Sequence, residues 1–299
     1  MINKINFSKF FKMANIFSLL AIFISVLFLF IKGLNYGVDF KGGTLLEVRV
    51  SDTNVKIQDV RNSLRDAELG DVSVKQFGRE GDFLVKFERN ANENKKFISE
   101  LKNDISGKIG SEINFRRVES VGPKVSSELL KQGITAIALS LAAMLFYIWI
   151  RFEWQFSLGS IIALFHDVVI TLGIFSILSL EVNLSIVAAV LTIVGYSMND
   201  TVVIYDRMRE NLLKYSKIET NEIANISVNE TLSRTVITSL TTLLALGSIF
   251  LLGGEILKGF SFAMILGVII GTYSSIFVAS PVLNYFKVTQ KTLLKEDEI

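Results

Sequence analysis

The chain has 299 residues and a mass of 33.4 kDa; half of it is hydrophobic, only 20% is charged and the mean hydropathy is +0.46, which excludes an ordinary water-soluble domain for most of its length. Charge is nearly balanced, with 31 Lys+Arg against 29 Asp+Glu, so a nucleic-acid backbone is not the partner to expect. With no cysteine, one histidine and two prolines, disulfides, thiolate metal sites and thiol catalysis are excluded, and neither a metal nor a cofactor is expected.

The first element is an apolar run from Ala14 to Ile31, preceded by Lys4, Lys9 and Lys12, long enough to cross the hydrocarbon core as a helix. It continues into Lys32-Gly33-Leu34-Asn35-Tyr36 without a small-x-small cleavage pattern. An uncleaved anchor is therefore expected in preference to a signal peptide, with residues 1–36 forming the N-terminus and first span.

Residues 37–124 are charged and polar, and read as a water-exposed domain inserted between spans. Thr44 to Val50 alternates as a strand, and Ile57 to Glu68 carries Ile57, Val60, Leu64 and Ala67 at helical spacing. Val72 to Phe77 and Asp82 to Phe87 are strands split by Gly78-Arg79-Glu80-Gly81. A helix from about Glu93 to Ile109, with Phe97, Leu101 and Ile105 on one stripe, precedes a last strand, Ile113 to Val118. Strand, helix, strand, strand, helix, strand is the order of a ferredoxin-like α+β fold.

Residues 125–299 hold five further apolar runs: Gly133–Ile150, Phe156–Ser179, Val182–Tyr205, about Asn229–Leu252 and about Phe260–Phe286. The fold class expected is thus a six-span α-helical membrane protein with an inserted ferredoxin-like domain. Arg151, then Arg207, Arg209, Lys214 and Lys217, then Lys287, Lys291 and Lys295 follow the second, fourth and sixth spans. The opposite loops carry only Glu181, and Glu255 with Lys258. This bias places both termini in the cytoplasm and residues 37–124 outside; the basic stretch from Arg207 to Lys217 reads as a topology determinant on the membrane surface.

Five polar or charged groups inside these runs need a reason, since a charge costs about 2.5–3.5 kcal/mol at the centre of a span. They are His166 and Asp167 in the third span, Asn199 and Asp200 in the fourth, and Arg234 in the fifth. Asp200 lies five residues before Tyr205, and Arg234 five after Asn229. At ~1.5 Å per residue both sit roughly 8 Å from the same membrane face and can meet at one level. Two carboxylates and one guanidinium lack a positive charge unless a proton is held, as a proton relay requires. Thr192, Tyr196 and Asp200 share a helical face, and Thr231, Thr235, Thr238, Thr241 and Thr242 with Ser233 and Ser239 supply hydroxyls to hold water. A static buried Asp200–Arg234 pair is the weaker alternative, whereas for His166 and Asp167 a structural hydrogen-bonding role is preferred. Gly42-Gly43 permits a tight entry into the first strand, Gly267 and Gly271 favour close helix packing, and Pro281 kinks or ends the last helix.

Several stretches together resemble the SecD/SecF family of bacterial protein-export membrane subunits, within the resistance-nodulation-division superfamily. They are Gly37-Val38-Asp39-Phe40-Lys41-Gly42-Gly43-Thr44, Val121-Gly122-Pro123, Arg151-Phe152-Glu153-Trp154 and His166-Asp167, with Gly195-Tyr196-Ser197-Met198-Asn199-Asp200-Thr201-Val202-Val203-Ile204-Tyr205-Asp206-Arg207 the strongest. Asn229-Glu230-Thr231-Leu232-Ser233-Arg234-Thr235 completes the set. The resemblance implies proton coupling at Asp200 and Arg234, with Asn199, His166, Asp167, Tyr196 and Thr238 in support, and Asp39, Gly42 and Gly43 as the motif of the entry loop. It implies the inner membrane as location and half of the usual transporter arrangement. The partners implied are a six-span SecD-type subunit, the SecYEG channel, accessory subunits such as YajC, the unfolded polypeptide in transit and the lipid bilayer. Weaker readings are a self-contained exporter of lipids or small molecules, a passive assembly factor, and an intramembrane aspartic protease built on Asp167 and Asp200. Against the protease stand the missing Gly-x-Gly-Asp setting and the Arg234 charge, which hinders two carboxyls from sharing one proton.

Overall fold

The computed structural model describes residues 5–65, 67, 69–76, 78–88, 96–215, 218–286 and 288–293. Lys4, Glu68, Phe77, Glu93, Lys217, Lys287 and Lys295, used above, lie outside these. The chain divides into two units, Tyr36–Thr135 and the combination of Met1–Asn35 with Ala136–Ile299.

In chain order the elements are α1 (Ser8–Ile31), β1 (Asn35–Tyr36), α2 (Val38–Lys41), β2 (Gly43–Val50), α3 (Ile57–Ser63), β3 (Val72–Gln76), β4 (Asp82–Phe87), α4 (Phe97–Ile109) and β5 (Ile113–Val121). Then come α5 (Pro123–Arg151), α6 (Trp154–Ile177), β6 (Glu181–Val182), α7 (Leu184–Lys214), α8 (Thr220–Leu252) and α9 (Glu255–Ser274). A π-helical segment (Ser275–Ala279), α10 (Ser280–Tyr285) and α11 (Gln290–Leu293) finish the described chain.

The unit Tyr36–Thr135 is built on a four-stranded antiparallel sheet in the order β3-β4-β2-β5, the order a ferredoxin-like fold requires. Its core forms because alternate strand residues and the helix stripes turn the same way: Leu46, Val48, Val74, Phe83 and Val85 meet Val60, Leu64, Leu101 and Ile105. Helix α3 stops at Ser63, short of the expected Glu68. The Ser63 hydroxyl donates to the Val60 carbonyl at 2.8 Å, and the next amides fold back three residues instead of four, as serine near a helix end promotes. Entry into β2 is made by two glycines with positive φ, Gly42 at 80° and Gly43 at 111°; a Cβ on Gly43 would lie 2.5 Å from the Phe87 carbonyl oxygen. At the other end Arg49 and Asp82, opposite each other across β2 and β4, form a two-pronged ion pair at 2.6 Å.

Among the described residues six helical stretches are long and apolar enough to cross a membrane: α1, α5, α6, α7, α8 and residues 256–285. Their ends differ from the hydropathy reading. Helix α5 begins at Pro123 instead of Gly133, proline being suited to a first helical turn. Helix α7 runs on to Lys214, and α8 starts at Thr220 instead of Asn229. Hydropathy reports where lipid-compatible side chains stop, whereas backbone hydrogen bonding continues through polar residues as long as they find partners.

Within this unit α6, α7 and residues 256–285 form the buried centre, while α1, α5 and α8 keep broad apolar faces exposed. Small residues set the contacts. Gly173 of α6 receives Ser25 of α1, and Gly267 and Gly271 of α9 receive Ile193 and Ser197 of α7, each so closely that a Cβ would lie under 3.0 Å away. The Ser176 hydroxyl of α6 reaches the Phe28 and Gly33 carbonyls of the first span and its end. Pro281 follows the π-helical turn: proline lacks the amide that an α-helix would use one turn earlier, and the wider turn takes up the misfit.

Candidate functional site

Asp200 lies in the interior of α7, 3% exposed. The Thr272 hydroxyl of α9 is beside it and the Arg234 charge of α8 acts on it, yet its Oδ2 is buried without a hydrogen-bond partner. Arg234 is exposed on the face of α8, and among the described residues no ion pair within 4.0 Å joins the two. The charges thus share a level, as the residue count expects, without forming a closed salt bridge. A half-satisfied carboxylate in a dry interior is costly and responds to small movements of its neighbours.

His166 and Asp167, 1% and 0% exposed, hold a separate set of partners. His166 Nδ1 is 2.8 Å from Asp167 Oδ1. Ser197 of α7 and Ser274 of α9 donate to Asp167 Oδ2 at 2.5 and 2.9 Å. The Tyr273 ring stacks on the imidazole at 6.0 Å between centroids. Asp167 and Asp200 therefore do not form a carboxyl dyad around a common proton.

The other residues singled out in the sequence are scattered. Asn199 is exposed. Tyr196 donates to Thr242 at 3.3 Å, joining α7 to α8. Thr192, Thr231, Thr238, Thr241 and Thr242 spend their hydroxyl hydrogens on carbonyls of their own helices. Besides Tyr196, hydroxyls that cross between helices here are Ser239, which the sequence reading included, and Ser197, Thr201, Thr272, Ser274 and Ser275, which it missed. Their one signal was the run Thr272-Tyr273-Ser274-Ser275, four hydroxyls in succession inside an apolar span. Asp39 lies in α2, just ahead of the Gly42-Gly43 entry to β2.

The basic stretch after Asp200 is more than a surface feature. Within the helical continuation of α7, Arg207 pairs with Glu210 at 2.6 Å and with Glu230 of α8 at 2.7 Å. Asn211 donates to Glu230 and Ser227, Arg151 pairs with Asp206, and Arg209 with Glu153. These links tie α5, α7 and α8 together near the α7–α8 turn. They also explain why both helices outlast their apolar runs.

Six helices long and apolar enough to cross a membrane, with a ferredoxin-like insert after the first, are the architecture of a membrane transport component. The description "Protein export membrane protein SecD/SecF, C-terminal" matches residues 101–289, and "SecD/SecF GG Motif" matches residues 27–53, which include Gly42 and Gly43. The chain belongs to the SecD/SecF family of protein-export membrane proteins. Within it, the chain is 45% identical over 287 residues to the protein translocase subunit SecF of Rickettsia rickettsii, covering 95% of this chain and 93% of that one. It is 44% identical to that of Rickettsia prowazekii, covering 95% and 92%. Its fold matches the crystal structure of SecDF, a translocon-associated membrane protein from Thermus thermophilus, with a TM-score of 0.86 and 36% identity. That match covers 96% of this chain and 39% of the SecDF chain, so this chain spans about two fifths of that protein. A structure of SecDF in a super-membrane-facing form matches with a TM-score of 0.70 and 34% identity.

Proposed function

We propose that this chain is an auxiliary subunit of the Sec protein-export machinery of the bacterial inner membrane. With a SecD-type six-span partner it uses an ion gradient, carried by Asp200 and Arg234, to drive late steps of translocation of unfolded polypeptides through the SecYEG channel, with accessory subunits such as YajC. The Lys/Arg bias of the loops supports cytoplasmic termini and an extracytoplasmic domain at residues 37–124. In this reading Asn199, Tyr196 and Thr238 have supporting roles on the helices that carry Asp200 and Arg234, and Asp39, Gly42 and Gly43 shape the entry to the outer domain.

The observation that carries this reading is the buried Asp200 Oδ2 without a partner. A carboxylate locked in a static pair would have both oxygens satisfied. This one has an oxygen to which a proton can be added at no loss of a hydrogen bond, beside a cation on another helix. Protonation removes the attraction between α7 and α8 and deprotonation restores it, so the charge state biases helix positions. One charge crossing 100 mV is worth about 2.3 kcal/mol, enough to shift a two-state equilibrium roughly fifty-fold.

The test is translocation into inverted vesicles containing this chain, a SecD partner and SecYEG, with and without a proton gradient. Asp200→Asn and Arg234→Met are expected to assemble and keep basal translocation while losing the gradient-stimulated part. Full stimulation in both variants overturns the proposal.

A further inference from the structure

One face of the sheet in the outer domain lies outside its core. Val48, Val74, Phe83 and Val85 turn toward α3 and α4, so the residues between them turn to the opposite face: Ser73 and Lys75 of β3, Leu84 and Lys86 of β4, and Leu45 and Glu47 of β2. Most charges there are matched. Arg49 and Arg116 share Asp82, Glu47 acts on Arg49, and Arg117 pairs with Glu119. The exception is a corner that gathers lysines. We infer that Lys41, Lys75 and Lys86, with the Ser73 hydroxyl, form an anion-binding site that takes a phosphate group, carried by a lipid headgroup or free in solution. The site shares no residue with Asp200 and Arg234 and does not depend on ion coupling.

The strand register brings the group together. Lys86 lies opposite Ser73, and Lys75 opposite Leu84, which makes Lys75 the diagonal neighbour of Lys86 at about 7–8 Å. Ser73 and Lys75 are exposed and Lys86 is half-buried. Lys41 comes from α2, which packs against β2 and β5 and leads into the glycine pair, where Gly43 lies against Phe87, the residue after Lys86. Burial and the Lys75 charge push the Lys86 ammonium down to about 8, with Asp39 opposing them and Lys41 adding to them. Asp39 is the one carboxylate among the described residues that acts on Lys86. Among the described residues, neither Lys41 nor Lys75 has an ion pair within 4.0 Å. Ammonium groups held together with one carboxylate between them repel one another, and an anion relieves that cost.

The donors select the ligand. Lysine binds phosphate as a compact point charge, and the planar arginine fork that fits a carboxylate two-pronged is absent from this corner; the arginines of the face are the ones already spent on carboxylates. The Ser73 hydroxyl adds a neutral donor opposite Lys86. Lys41 follows Ile31, the end of the first span, by ten residues, so the chain keeps it within about 35 Å of the membrane surface. Headgroups are thus as reachable as soluble phosphate.

The test is the acetylation rate of Lys86 relative to the exposed Lys131, read by mass spectrometry on the full chain in nanodiscs at about pH 7.5. Phosphatidylcholine discs in chloride are compared with the same discs in inorganic phosphate at equal ionic strength, and with discs containing phosphatidylglycerol in chloride. A bound phosphate that raises the Lys86 pKa by about one unit slows its labelling roughly eightfold. The slowing should vanish in Lys75→Gln and weaken in Ser73→Ala. Slowing by inorganic phosphate alone assigns the site to a soluble anion, slowing by phosphatidylglycerol alone to a lipid headgroup, and slowing by both to the phosphate group as such. Equal rates in all three conditions, or a slowing that Lys75→Gln retains in full, overturn the inference. A slowing produced only by added polyglutamate overturns the phosphate assignment and gives the corner to acidic polypeptide instead.

Discussion

Replacing Gly43 by alanine isolates what the glycine pair does for the outer domain. With φ at 111° the residue lies beyond even the left-handed helical region, a conformation that costs an L-residue about 1–3 kcal/mol. The new Cβ would also sit 2.5 Å from the Phe87 carbonyl oxygen, about 0.8 Å inside a comfortable carbon–oxygen contact. Strands β2 and β4 must part there, and the neighbouring Thr44–Phe87 rung weakens by about 1 kcal/mol. The total is about 2–4 kcal/mol. Gly110→Ala is the matched control: it has a φ of 70° but nothing within 4 Å of its Cβ, so it pays conformational strain alone, about 1–2 kcal/mol. The assay is amide hydrogen exchange on the full chain in nanodiscs, read on peptides covering 43–50 and 82–87. Gly43→Ala should speed exchange there roughly 30- to 700-fold, well beyond Gly110→Ala. Equal protection in the two variants would falsify the close-approach argument.

Two further perturbations probe the two units. Arg49 hydrogen-bonds Asp82 and holds its carboxyl below the usual carboxylate range against the opposing effect of burial; because the folded value is depressed, this stabilisation is present above about pH 4 and disappears as pH falls through the folded value. Exchange protection of β2 and β4 should therefore drop on acidification below about pH 4 in the wild type and much less in Asp82→Asn, and parallel pH profiles would exclude Asp82 as the cause. In the spans, Gly267→Val forces a side chain into Ile193, whose three nearest atoms lie 2.2 to 2.8 Å from the Cβ position. A loss of about 1–3 kcal/mol is expected from overpacking, visible as a lower unfolding temperature in detergent, whereas Gly247→Val, with open space around it, should change little.

The order of strands and helices in the outer domain was readable because alternation and helical stripes report buried faces directly: Val60, Leu64, Leu101 and Ile105 all face the core. The level of Asp200 and Arg234 was readable by counting residues from the ends of two antiparallel spans. What counting could not supply was direction. Arg234 turns outward, and Ser197 and Ser274 converge on Asp167, because in an apolar run every face looks alike and a serine does not announce which neighbour it meets. Helix ends were misplaced for a related reason: the polar residues that prolong α7 and α8 are held by cross-helix pairs such as Arg207–Glu230, which become visible only when the two helices are placed side by side.

The π-helical turn changes how the last span must be compared with its relatives. In an uninterrupted α-helix Leu283, nine residues or about two and a half turns beyond Ser274, would occupy the opposite side, yet both are fully buried. Tyr285, eleven residues on and nominally above Ser274, is instead 69% exposed. A helical wheel drawn through this stretch is out of phase past Ala279, because a residue added to a turn rotates everything after it by about 100°.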